Sequence, residues 1–572
     1  MTRSARDTAG TGAPGADASY TKAGAHTTAA AIGKQYEHDF PRSQNPRKTP
    51  ARTDDGYLSS DAYARGAKPL ADQITPRAFQ IDYRHPLEAW LGRRPARWLL
   101  KRLSVDDRRG KTALERIFLS YRNPQAPLWQ RVKYWPIHFL IDRVRGTADA
   151  TALRRPTIQQ MATLRGLVIV ARSIAEFGLT VPQRFAAPLF AVWNFTNRCN
   201  LTCRHCYQDS QGGGIAAELA LAEKLDLVDQ MGRAHMPMVA ISGGEPTLSK
   251  DLLPVLRRAR QHLMHVSLAT NGTTMTPDLA RRLAEAGLRY VEISLDSVDP
   301  QRHDAFRGVA GMWRRAVAGA RNVVATEGLR LGIAMCVHQD NFHEVRDMIR
   351  FAEDLGADCF AHFNFIPVGR GLKMVAGDIT PRQREELLAI LNEKMQEGQI
   401  GVLSTAPQLG RVCLAGAALA TGRAACSHCG SGSGVKARVV AKYLGGCGAG
   451  RTYVCIEPDG NVTPCVYLPH RVMGNVRRGG LIDIYRRSVF WGILNDRDRR
   501  LHHCEVCAFK SYCGGCRARA DAYFGLLHAG DPGCIFNAKH WEALVEAGVV
   551  APRDPGVPCE EVAPAPMRHG VG

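Results

Sequence analysis

Between residues 190 and 400 the hydrophobic pattern alternates between two periods six times. Short runs rich in β-branched and aromatic residues (LFAVWNFT, MVAISG, HVSLATNG, YVEISLDS, LGIAMCVH and CFAHFNFIPVG) give way to stretches such as AELALAEKLDLVDQM and NFHEVRDMIRFAEDLG, where apolar residues recur at three and four. Six strand–helix units in series with short connections predict an α/β domain over 189–400. Its parallel sheet, covered by helices, is either a curved partial barrel or an open doubly wound sheet. In both, ligands collect at the C-terminal ends of the strands, so chemistry is expected just after each strand. Upstream, HPLEAWLGRRPARWLLKRLS, TALERIFLSYR, WPIHFLIDRVRG and TIQQMATLRGLVIVARSIAEFG carry the helical period with basic residues on the remaining faces. They predict a small helical domain over 81–188 with Trp90, Trp98, Trp129 and Trp135 as aromatic anchors. Residues 1–80 hold neither period and are expected to be a disordered tail, as are 546–572. Residues 401–545 form a separate cysteine-rich region.

Charge changes this picture in one respect. The net +21 is concentrated at the front: residues 1–190 hold 31 Lys/Arg against 16 Asp/Glu. A basic helical surface is either solvated or faces an anionic membrane or an acidic partner. No zinc finger or RNA-binding signature accompanies it, which argues against nucleic acid. No apolar run of about 18 residues is present, so no bilayer span is expected. The first residues lack an apolar secretory core, and their acids argue against a transit peptide. Seventeen cysteines in short spacings then read as metal ligands in a reducing, cytoplasmic compartment rather than as disulfides.

The strand ends carry the candidate chemistry. After the first strand, NFTNRCNLTCRHCYQ sets Cys199, Cys203 and Cys206 in a C-x3-C-x2-C spacing. Three thiolates can hold three corners of a cubane iron–sulfur cluster and leave one iron open to a small chelating molecule. A zinc site or a structural thiol cluster is the alternative, although zinc usually closes with a fourth ligand, and His205 is too near in sequence to supply it easily. After the second strand comes SGGEP, where Gly243 and Gly244 admit a close approach and Glu245 can accept from an ammonium. TNG follows the third strand with Asn271 and Gly272. SLD on the fourth puts Ser294 and Asp296 on one face. Asn364 and Arg370 follow the sixth.

CNLTCRHC, SGGEP, ATNG and ISLDS, in that order and spacing, resemble the radical S-adenosylmethionine enzymes over about residues 190–400. The resemblance implies a partial (β/α)6 TIM-like barrel. It also implies a [4Fe-4S] cluster on the three cysteines, chelated at its open iron by the amino and carboxyl groups of S-adenosylmethionine. Gly243, Gly244 and Glu245 match the segment that meets the methionine amino group. Ser294, Asp296 and Asn271 match positions near the ribose or carboxylate, and His205 a position near the adenine.

A second array lies downstream. GGCGAGRTYVCIEPDGNVTPCVYLP supplies Cys447, Cys455 and Cys465 around a hairpin turn at PDGN; Cys504, Cys507, Cys513, Cys516 and Cys534 follow. The C-x2-C-x5-C-x2-C run, with Gly460 five residues before Cys465, resembles the SPASM extension of the same enzymes and implies one or two auxiliary [4Fe-4S] clusters. By that analogy Cys504, Cys507, Cys513 and Cys534 hold one, and Cys447, Cys465 and Cys516 the other, with Cys455 as candidate fourth ligand. The last spacing is x2 where many members have x3, and Cys455 is additional. Structural zinc is the competing reading of the array. Cys336, Cys359 and Cys559 read as ordinary thiols, the Cys426/Cys429 pair as a third metal site, a redox pair or a bystander, and Cys413 as a candidate cavity-facing catalytic thiol. CGAGR, PDG-x-V-x-PC and CGGCRARA look most like haem and haem d1 maturation enzymes. The implied reaction is reductive cleavage of S-adenosylmethionine to a 5′-deoxyadenosyl radical that takes hydrogen from an unidentified substrate, with an electron drawn from a protein such as ferredoxin or flavodoxin. A tetrapyrrole fits as substrate, with a peptide as the alternative. A zinc-binding adaptor is the reading from another class.

Overall fold

The computed structural model describes residues 86–108, 110–121, 123–145, 158–416, 423–426, 430–433 and 441–550. The tail expected over 1–80 and most of that expected over 546–572, with Cys559, lie outside the described residues, as does Cys429; residues 546–550 are described, and Val550 is buried, which corrects the tail's start. The six predicted strands form in sequence order: β1 (Phe190–Asn194), β2 (Met238–Ser242), β3 (His265–Thr270), β4 (Tyr290–Ser294), β5 (Arg330–Val337) and β6 (Cys359–Asn364). Each is parallel to its predecessor.

The sheet continues past residue 400. β7 (Gly401–Ser404) adds in parallel to β6. β8 (Arg423–Cys426) and β9 (Gly430–Ser433) make a separate hairpin. β10 (Tyr453–Ile456) then lies parallel to β1 on the opposite edge, followed antiparallel by β11 (Asn461–Thr463) and β12 (Gly474–Asn475). The order is β12-β11-β10-β1-β2-β3-β4-β5-β6-β7, and its two ends do not pair, so the barrel is partial. The PDGN turn joins β10 to β11 as expected. Gly460 sits there at φ +85°, a conformation that a side chain would strain.

Burial alternates along β2, β3 and β4, because one face of each strand meets helices and the other lines the concave side. Val239, Ile241, Val266, Leu268, Val291 and Ile293 form the buried side. Ala240, Ser242, Ser267, Ala269 and Ser294, small residues on the concave side, are only partly buried. Three outer helices begin where their sequences announce it. Thr276, Asp299 and Thr380 accept first-turn amides, and a proline fills the next position.

The basic segment is helical as predicted, over Pro86–Leu91, Arg94–Leu103, Ala113–Ser120, Leu128–Arg145 and Ile158–Phe177. The last of these joins the barrel: Ile169 enters the main core, and Arg165 donates to the Gly232 carbonyl at 2.6 Å. The expected tryptophan anchors are a correction. Trp90, Trp98, Trp129 and Trp135 are 38–65% exposed, while Leu114, Tyr121, Tyr134 and Val168 are buried. Helical period says which residues share a face, not which face meets a neighbour.

Candidate functional site

The loop that carries Cys199, Cys203 and Cys206 leaves β1 and is held by the ends of four other strands. Gly244 and Glu245, after β2, donate their amides to the carbonyls of Thr196 (2.8 Å) and Arg198 (2.7 Å). A Cβ on Gly244 would stand 2.2 Å from the Arg198 oxygen, and one on Gly243 2.7 Å from the Thr196 oxygen. The paired glycines therefore admit the backbone of the cysteine loop itself. After β3, the Asn271 Nδ2 donates to Asn200 at 2.8 Å. Beyond β4, Arg307 and Phe306 accept at their carbonyls from Thr202 and Arg204. After β6, Arg370 wraps the loop from below: its amide reaches the Cys206 carbonyl, and its guanidinium reaches the carbonyls of Cys203 and Ser210, each at 2.8 Å. Gly244→Ala is expected to cost about 1–3 kcal/mol through overpacking. Its readout is a lower thermal midpoint together with less iron retained after anaerobic reconstitution.

The Glu245 carboxylate is spent on this scaffold. One oxygen accepts from the Thr247 amide (3.1 Å), the Thr247 hydroxyl (2.5 Å) and the Thr270 hydroxyl (2.7 Å), the other from the Asn271 amide (2.8 Å). Burial pushes this carboxyl up against the pull of those donors. Its side chain ties the β2 end to the β3 end, as the amides of Gly244 and Glu245 tie the β2 end to the cysteine loop. Asn271 is committed likewise, its side-chain oxygen accepting from Thr273 at 2.7 Å. Ser294, closing β4 on the concave side, has a hydroxyl with no hydrogen bond to any described residue.

Asp296 is fully buried and held by Arg307 at 2.6 Å and by the Cys336 amide at 2.9 Å. Burial alone would raise its carboxyl, but the guanidinium prevails and holds it near 2. The other arm of Arg307 reaches the Cys203 sulfur at 3.7 Å. Nothing in the sequence marked Arg307: it sits at the end of helix Pro300–Arg307, and only packing brings it onto the thiol. His205 stacks on Phe306 with centroids 4.5 Å apart and 7° between planes, and Phe306 stacks on His338 at 4.3 Å. Burial keeps His205 neutral, its basicity lowered to about 3. Glu292, two residues before Ser294 on the same face, also escaped the sequence reading; burial pushes its carboxyl to about 7.

Each of the three loop sulfurs has one N–H aimed at it: Leu201 N to Cys199 and Ser210 N to Cys206, both at 3.5 Å, and Arg307 to Cys203. Such donors suit sulfur carrying negative charge, so the residues present fit three ligands of a [4Fe-4S] cluster. Among the described residues no three His, Cys, Asp or Glu side chains are grouped as ligands of a single metal ion; cubane ligands each take a different iron.

Cys507, Cys513 and Cys534 each feel the charge of their neighbours in the Cys504, Cys507, Cys513 and Cys534 set. Asn537 Nδ2 and Gly515 N point at the Cys504 and Cys513 sulfurs, at 3.5 and 3.4 Å. Cys465 and Cys516 feel Cys447, and Cys516 feels Cys465; the Tyr453 hydroxyl donates to Cys465 at 2.9 Å. Cys455 lies on β10 opposite Val192 of β1, its sulfur 3.4 Å from Glu457 and 3.6 Å from Asn194 Nδ2. Asn194 in turn accepts from the Tyr207 hydroxyl at 2.9 Å. A polar chain therefore runs from the residue after Cys206 to the edge of the second array, and sequence reading missed its Tyr207 and Glu457. The Asn364 oxygen accepts from Arg384, while its buried Nδ2 has no partner among the described residues. Cys413 is a correction: it is fully buried in the main apolar core, on helix Gln408–Gly416, not at the concave face. Cys336 lies on β5, Cys359 opens β6, and Cys426 closes β8.

Comparison with known proteins agrees with this geometry. Residues 193–352 match the radical SAM superfamily, and 447–508 match the iron-sulfur cluster-binding domain called SPASM. The AdoMet-dependent heme synthase of Methanosarcina barkeri is 30% identical over 351 residues, 61% of this chain and 97% of that protein. The pre-heme d1 synthase of Dinoroseobacter shibae is 30% identical over 61% of this chain and 86% of its own. Streptococcus suis SuiB, solved with S-adenosylmethionine bound, shares the fold at 16% identity, with a TM-score of 0.53 over 74% of this chain and 93% of SuiB.

Proposed function

Because this chain belongs to the radical SAM superfamily and carries its SPASM domain, we propose that it is a haem-maturation-type enzyme that oxidatively decarboxylates propionate side chains of a tetrapyrrole. The observation that carries this reading is the likeness to AdoMet-dependent heme synthase along 97% of that protein, beside the family matches over residues 193–352 and 447–508. When bound, S-adenosylmethionine and its [4Fe-4S] cluster supply a 5′-deoxyadenosyl radical for hydrogen abstraction, and the auxiliary clusters supply redox capacity.

The chain's own residues divide the remaining work. Cys199, Cys203 and Cys206 hold the first cluster, with Arg307 and two amides stabilising the thiolates. The carbonyls of Gly243 and Gly244 and the Ser294 hydroxyl orient S-adenosylmethionine, and the His205–Phe306 stack offers a flat apolar wall for its adenine. Cys504, Cys507, Cys513 and Cys534 hold one auxiliary cluster. Cys447, Cys465 and Cys516 hold the other, with Cys455, beside Asn194 and Glu457, as candidate for its fourth position. An electron donor is required, and we assign a ferredoxin or flavodoxin in a reducing, cytoplasmic setting. The zinc-adaptor reading is set aside by the family matches over residues 193–352 and 447–508.

Anaerobic protein with dithionite, S-adenosylmethionine and iron-coproporphyrin III is expected to release carbon dioxide and 5′-deoxyadenosine together and to lower the porphyrin mass. Nucleoside without porphyrin turnover would overturn the tetrapyrrole assignment and favour maturation of a peptide. No nucleoside at all would overturn the reaction class.

A further inference from the structure

We propose that the helix Leu128–Arg145 docks this chain on an anionic bilayer surface. The inference is independent of the reaction assigned above. Leu128, Val132, Trp135 and Phe139 fall at i, i+4, i+7 and i+11, which is one stripe at 100° per residue. All four face solvent, at 71, 66, 65 and 53% exposure, with Trp129 beside them at 58%. The Trp135 and Phe139 rings are stacked, with centroids 6.0 Å apart, so the stripe is continuous. The helix buries its other side: Tyr134 is enclosed, and His138 Nε2 meets the Ile117 carbonyl at 2.9 Å. A large exposed apolar stripe on a helix anchored at Tyr134 and His138 marks an interaction surface.

Charge selects the partner. Arg131 and Lys133, both exposed, project from opposite edges of the stripe, and the Lys133 ammonium lies 5.9 Å from the Trp129 ring centre. Around them, residues 86–145 hold 14 Lys/Arg and 5 Asp/Glu. Covering the stripe with a second copy would bring two basic surfaces together, whereas an anionic lipid surface neutralises them. Aromatic residues along an apolar stripe with cations at its borders suit the headgroup boundary, where apolar side chains enter the acyl region and Lys and Arg stay at the phosphates. No described helix is long and apolar enough to cross a membrane, so the helix lies in the plane of the interface.

The test is co-sedimentation of the full chain with vesicles of phosphatidylcholine alone or mixed with phosphatidylglycerol. Binding is expected only to the mixed vesicles and should weaken as salt is raised. Val132→Glu/Trp135→Glu is expected to reduce it at least about tenfold, and Arg131→Glu/Lys133→Glu to remove the preference for anionic lipid. Both variants keep circular dichroism and 5′-deoxyadenosine release at parent levels. Equal binding to neutral vesicles, no binding, or pelleting of Val132→Glu/Trp135→Glu like the parent would overturn the proposal. So would light scattering that shows a parent dimer converted by this variant to a monomer, which would assign the stripe to a second copy.

Discussion

Cys199→Ala protein, reconstituted anaerobically and reduced with dithionite, is expected to release 5′-deoxyadenosine at least about 100-fold more slowly than the parent while it stays brown. The reason lies in how the loop is built. Burial pushes the Cys199 thiol up to about 11, with Glu245, Cys203 and Cys206 adding to the rise, and burial raises Cys203 against the opposing pull of Arg307. Thiolates form there only when a metal centre replaces their protons. With Cys199 gone, two sulfurs and two N–H donors remain, too few to keep a three-cysteine cluster on a loop that offers no fourth sulfur. The C-terminal cysteines lie mostly on helix ends and loops beyond residue 440, so their iron stays. Iron per chain should therefore fall by about four atoms rather than to zero. Cys513→Ala provides the contrast: iron falls, but the loop after β1 and its nucleoside chemistry persist. Undiminished nucleoside release by Cys199→Ala would sink the assignment of this loop as the site of the reaction.

The strand-end rule explains why so much of this site could be read before any coordinates. A parallel strand alternates strictly, its end is where ligands collect, and each polar cluster followed an apolar run: the cysteines after β1, SGGEP after β2, TNG after β3, SLD at β4. What the rule could not assign is which polar atoms are already spent. Glu245 and Asn271 look like ligand contacts in sequence, yet their atoms join β2, β3 and the cysteine loop. Nothing in the sequence singled out Arg307, and only the packing of helix Pro300–Arg307 on the cysteine loop sets it against Cys203. β7 and the pairing of β10 with β1 were missed for a different reason. GVLS and YVCI are four residues each, too short to declare a period, and β10 reaches β1 across more than half the described chain. The tryptophans failed in the opposite direction, because amphipathic helices with apolar residues on two faces leave the buried one to tertiary packing.

That same long-range packing predicts the second large effect. Four charged side chains, Asp378, Arg384, Arg519 and Asp531, are at most 2% exposed and join the barrel to the cysteine-rich region. Asp378 accepts from Arg384 at 2.7 Å, from Arg519 at 2.6 Å and from the Tyr523 hydroxyl at 2.7 Å. Arg519 reaches on to Asp531 at 3.1 Å, and Asp531 accepts the amide of Cys516 at 2.9 Å. The set is neutral, two cations to two anions. Asp378→Asn keeps the volume and removes one anion, leaving an uncompensated guanidinium in the interior, so stability should fall by about 3–5 kcal/mol. The loss should concentrate between the two regions. Hydrogen exchange around residues 516–534 is expected to speed up, and iron at the Cys447, Cys465 and Cys516 set to leak first, because Asp531 fixes the Cys516 backbone. A second variant separates charge imbalance from simple loss of contacts. Asp378→Asn/Arg384→Met removes one charge of each sign and should recover part of the stability, since the remaining Arg519 still has Asp531. A double variant no more stable than Asp378→Asn would show that the hydrogen bonds, and not the unpaired cation, set the cost. A single variant with an unchanged unfolding midpoint would show that the network does not hold the two regions together.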